Sequence, residues 1–132
     1  MRFNMTGTRC FVQGSILHSE PSQGRFLNLT AEEFDSLCQD PIRTTDLLAS
    51  KVRVDYGTDL GLATFGKINE SETAGEYRLE TFCSLSTPSG SENQSHTIGG
   101  EPAAARERAS IIALDMLRNY LLKRTRNNGM VE

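Results

Sequence analysis

The sequence has no tryptophan, two histidines, three cysteines and no long apolar run. Each scarcity excludes something. With aromatics at only 7% of residues, the core has to be built on Leu, Ile, Val and Ala. Cys10, Cys38 and Cys83 stand far apart with no Cys-x-x-Cys pair, which fits a reducing compartment better than a disulfide framework. His18 and His96 sit at no zinc-ligand spacing, so neither a metal nor another cofactor is expected. No stretch approaches the roughly 18 apolar residues of a membrane span, and no membrane partner is expected. Residues 1–19 carry Arg2 and Arg9 and no acid, faintly like a transit peptide, but Phe11 to Leu17 reads more simply as a strand. The expected location is cytoplasmic or nuclear. Excess positive charge is also missing. Seventeen acids against fourteen bases give −3, which leaves no global pull toward a phosphate backbone.

What is present suits one domain with a modest extension, since 132 residues can bury a real core. Two apolar runs, Cys10 to Leu17 and Arg25 to Leu29, flank a loop containing Pro21 and Gly24 and suggest a hairpin. Thr30 and Glu33 form a capping-box pattern for a short helix carrying Phe34, Leu37 and Cys38 on one face. Pro41 ends that helix, and Thr44 or Thr45 starts another whose apolar residues are Leu47, Leu48, Val52 and Val54. The alternation of Val52 and Val54 would also suit a strand. Leu62 to Ile68 and Tyr77 to Leu85 read as strands, and a short third strand falls near Gln94 to Ile98 after a polar, mobile loop from Ser86 to Ser95.

The final helix is the clearest element. Gly99-Gly100 frees the backbone and Pro102 fits the first helical position. Ala105, Ala109, Ile112, Ala113, Met116, Leu117, Tyr120 and Leu121 recur at three- and four-residue intervals as one apolar stripe. Beyond Arg126 the chain is expected to fray.

Catalytic chemistry has little support in these residues. His96 has no evident nucleophile partner, and Ser15 lacks the Gly-x-Ser-x-Gly elbow. The pairs Glu32/Glu33 and Glu70/Glu72 lie in polar stretches that suit capping or solubility. Gly57 to Gly61 lacks the Lys-Ser/Thr ending of a phosphate loop and reads as a turn. The expectation is that the chain is not an enzyme.

The run Ala105-Arg106-Glu107-Arg108-Ala109-Ser110-Ile111-Ile112-Ala113-Leu114-Asp115-Met116-Leu117, together with Leu85-Ser86-Thr87 and Ile98-Gly99-Gly100, resembles the C-terminal half of a double-stranded-RNA-binding domain. The resemblance covers residues 44–122. It implies an α+β fold in the order α-β-β-β-α, an antiparallel sheet packed on helices, with a β/α extension at 1–43, the domain at 44–123 and a flexible tail at 124–132. The chain departs from the family where RNA is gripped. Pro102 and Ala103 stand in place of two lysines, and the Gly-Pro-x-His loop is replaced by an acidic stretch from Asn69 to Glu76.

The resemblance therefore implies a degenerate, non-catalytic module of RNA processing or RNA silencing, like the third such domain of Dicer-partner proteins. Its implied partner is an RNA-processing enzyme or a second copy, met through an exposed strand edge or the outer face of the sheet, with Gln94, His96 and Ile98 as interface residues. Two alternatives stay open. Genuine double-stranded RNA binding, through the basic last helix and tail, would use Arg106, Arg108, Lys123, Arg124 and Arg126 as weak RNA contacts. The chain could equally be an accessory domain of a Dicer-like nuclease or RNA methyltransferase.

Overall fold

A computed structural model describes residues 20–70 and 77–130. Within them the elements run α1 (Glu20–Phe26), α2 (Ala31–Leu37), α3 (Pro41–Tyr56), β1 (Gly61–Glu70), β2 (Tyr77–Thr87), β3 (Gly90–Gly99) and α4 (Pro102–Met130). The fold is α+β, with a three-stranded antiparallel sheet ordered β1-β2-β3.

The capping box forms as the sequence suggests. The Glu33 N–H donates to Thr30 Oγ1 at 3.2 Å, and the Thr30 N–H donates to Glu33 Oε1 at 3.1 Å. These bonds favour the charged carboxylate and hold the Glu33 pKa below its ordinary value. The next helix begins earlier than Thr44. Asp40 caps it by accepting from the Arg43 N–H at 3.2 Å, and Pro41 takes a first-turn position where no amide is needed. Thr44 and Thr45 are instead fully buried inside the helix. Thr44 Oγ1 donates to the Leu37 and Asp40 carbonyls at 2.9 and 3.0 Å, tying the end of α2 to the start of α3. The expected boundary after residue 43 thus falls within α3. Val52 and Val54 are helical, and Gly57, at φ +59°, ends the helix in the left-handed conformation.

The extension is helical where a strand was expected. Arg25 and Phe26 lie in α1, and Leu27 and Asn28 form the turn that follows, with Asn28 at φ +58°. Asn is among the few residues that adopt this conformation readily. Cys10 to Leu17 lies outside the described residues, as do the acidic stretch at 71–76 and residues 131–132.

The loop expected from Ser86 to Ser95 is a tight hairpin. β2 runs to Thr87, Pro88 and Ser89 make the turn, and β3 starts at Gly90, which has φ +140°. Thr87 Oγ1 accepts from the Ser89 N–H at 3.2 Å and donates to the Gly90 carbonyl at 3.0 Å, bracing the corner. The polar composition of 90–95 marks an edge strand with solvent on both sides rather than a loop: residues 90–97 are all exposed. At the other end of the chain, α4 continues to Met130, past the point where fraying was expected.

Strand alternation sets up three layers. On one face of β2, Cys83 and Leu85 pack against Ala113 and Met116 of α4, while Leu79 and Ile98 pack against Ala105. The other face belongs to α3. There Ser84 donates to the Asp46 carboxylate, and Gly61, paired with Ser86, lies beneath Ala49 and Arg53. A Cβ at Gly61 would stand 2.2 Å from the Ala49 carbonyl oxygen, so only glycine allows β1 to start this close to α3. The backbones of α3 and α4 do not approach each other. With a helix on each face, β1 and β2 leave no bare outer face of the kind the resemblance implied.

Candidate functional site

The five basic residues expected to face RNA are all exposed on α4, but they do not gather into one patch. Arg106 and Arg124 are eighteen residues apart, as are Arg108 and Arg126. Eighteen residues make five full turns, so each pair is aligned along the axis but separated by roughly 27 Å. The two pairs point to different sides of the helix, and Lys123, three residues before Arg126, shares the side of the Arg108 and Arg126 pair. Arg106 lies beside the sheet, where it lines a cleft with residues of β1 and β2.

The three expected interface residues divide differently. Gln94 and His96 are exposed on β3, with His96 Nε2 3.1 Å from Gln94 Oε1. Ile98 is 6% exposed and belongs to the core beneath Ala105 of α4, so it offers no anchor to a partner. The alternation of β3 explains this: Gln94, His96 and Ile98 share the α4 side of the sheet, but only Ile98 lies under the helix.

Ser84, Asp46 and Asn93 form a polar cluster that crosses layers. Asp46 Oδ1 accepts from Ser84 Oγ, and both carboxylate oxygens lie 3.4 Å from Asn93 Nδ2. Ser84 is fully buried. His96 is paired with Thr81 and therefore lies on the opposite face from Ser84. The geometry suits an interlayer tether: the carboxylate of Asp46 is held by both Ser84 and Asn93, the serine is buried, and no histidine lies beside it. Cys83 is buried, and burial pushes its thiol pKa up; its Sγ donates to the Gln94 carbonyl oxygen at 3.8 Å. Among the described residues no group of three His, Cys, Asp or Glu side chains could hold a metal, and no helix is long and apolar enough to cross a membrane.

Two features on α4 were not anticipated. The first is a second apolar stripe. Ile111, Leu114, Leu121 and Leu122 are 58%, 61%, 44% and 42% exposed, on the side of α4 turned away from the sheet. A shallow groove of about 300 Å³ runs along it, lined by Leu114, Leu117, Arg118, Leu121, Leu122 and Thr125. Leu121, expected on the inward stripe, lies here instead. The signal is present in the sequence, because Ile111, Leu114, Leu121 and Leu122 recur at intervals of three, seven and one. The second feature is the cleft of about 320 Å³ beside Arg106.

These layers define an α+β sheet domain with a long, two-sided helix. No family model matches the chain. Over 114 residues, 83% of its length, the chain is 32% identical to a CinA-like protein of Thermomicrobium roseum, and it spans 27% of that relative. This similarity overturns the likeness to double-stranded-RNA-binding domains and the RNA-processing and RNA-silencing roles drawn from it. The readings as an RNA binder or as an accessory domain of a nuclease or methyltransferase go with it. The residues behind that likeness have a plainer cause. Ala105 and Ala113 are small because α4 lies close on Leu79, Ile98, Cys83 and Leu85, a demand made by any helix packed tightly on a sheet.

Proposed function

We propose that this chain is a non-catalytic, self-associating domain akin to a segment of a CinA-like protein, and that a second copy docks antiparallel along the outer face of α4. The observation that carries this reading is the outer stripe. Ile111, Leu114, Arg118, Leu121 and Thr125 follow the alternating three- and four-residue spacing of a helix-pairing seam, and the apolar members are about half exposed.

Charge selects the orientation. In a parallel pair, Arg118 would face its own copy across the seam. In an antiparallel pair centred between Leu114 and Arg118, Ile111 meets the second copy's Leu121, and Arg118 comes beside the second copy's Leu114 and Asp115. Arg118 already lies 3.7 Å from Asp115 within one chain, both side chains being more than half exposed and free to repartner. Like-charge contact disfavours the parallel form. The non-catalytic part of the reading is supported by the burial of Ser84 and by the placement of His96 across the sheet from it.

Leu114→Asp combined with Leu121→Asp tests the proposal. The double variant is expected to sediment as a monomer with an unchanged circular dichroism spectrum, since both positions point away from the core. An unchanged assembly state in that variant would remove α4 as the interface.

A further inference from the structure

We propose that the cleft between β1 and the first turns of α4 binds a small organic anion with a compact apolar body. Its volume of about 320 Å³ falls at the lower end of the range for small-molecule sites. Gly66 lines it in β1, and a Cβ there would stand 3.2 Å from Leu79 Cδ1, so an alanine would need the tip of that side chain to shift.

The lining divides by chemistry. Ile68, Leu79 and Ala109 supply apolar wall. Thr81 is 3% exposed, lines the cleft, and its hydroxyl has no hydrogen-bond partner among the described residues. The hydroxyl oxygen is not among the fully enclosed unpaired polar atoms, so it reaches the open cleft, where a ligand oxygen can bond it. Arg106 lines the same cleft, and its guanidinium makes no ion pair among the described residues. Arginine offers a planar fork of donors that matches a carboxylate. A carboxylate on Arg106 and Thr81, with its hydrocarbon against Leu79 and Ala109, matches the charge, the hydroxyl and the apolar wall of the cleft, whose lining Thr64, Phe65 and Ser110 complete. Inorganic phosphate would leave the apolar wall uncovered, and a neutral alcohol would leave Arg106 unpaired.

The test is a two-dimensional amide NMR titration of the full chain with hexanoate, run beside hexanol and inorganic phosphate. Hexanoate is expected to shift the amides of Gly66, Thr81 and Ala109 saturably, and to bind more tightly than either control. Arg106→Gln, a change on an exposed side chain, is expected to weaken hexanoate about tenfold or more, the loss of one charge-assisted bond. Ala109→Leu is expected to fill the cleft and abolish the shifts. The assignment is overturned if hexanoate gives no saturable shift, if phosphate or hexanol binds as well, or if Arg106→Gln leaves the affinity unchanged.

Discussion

Thr30 and Glu33 show how far a local pattern can be read. Capping needs only residues three apart, so the pair was legible in the sequence, and the structure closes both bonds. Thr30→Ala removes the acceptor for the Glu33 N–H and is expected to cost about 1 kcal/mol in chemical denaturation. The pH dependence follows from the same bonds. Because the folded pKa of Glu33 is depressed, its contribution is fully present above the unfolded value near 4.5 and is lost as pH falls through the lower folded value. The stability lost in Glu33→Ala is therefore expected to shrink in acid, and a loss of constant size from neutral pH to below 4 would contradict this. Thr44 and Thr45 were harder. Each looked like a helix start, because threonine favours caps, but burial and the carbonyls of Leu37, Asp40 and Pro41 satisfy their hydroxyls inside the helix.

At the scale of elements, strands and helices with strong periodicity were legible, and those whose character depends on neighbours were not. α4 and β2 carry their own patterns. β3 does not, because as an exposed edge it has no inward row before Ile98, and its serines, asparagine and glutamine look like loop. The second stripe of α4 was hidden by the first, since a helix apolar on two sides gives no single dominant face. The approach of β1 to α3 rests on Gly61, whose sequence context says nothing of the Ala49 carbonyl above it. Gly61→Ala is expected to destabilise the fold by about 1–3 kcal/mol, through overpacking that only a shift of the backbone can relieve. A denaturation midpoint equal to that of the unaltered chain would show that the two elements are not pressed together there.

For the whole molecule, element order proved a poor guide to lineage. An α-β-β-β-α succession and an alanine-spaced last helix arise wherever a long helix must lie close on a three-stranded sheet, and a fold alone does not carry a function. Of the candidate site, the basic residues were legible by type but not by position, because eighteen-residue separations scatter them along and around α4. The cleft at Gly66 and Arg106 joins residues some forty apart and could not be seen before β1 and α4 were brought together. The central claim is that α4 meets a second copy of itself. Sedimentation equilibrium of the unaltered chain, followed over a wide concentration range, tests it most directly. The account predicts a mass rising to twice the 14.6 kDa of one chain, and a mass that stays at 14.6 kDa throughout would contradict it.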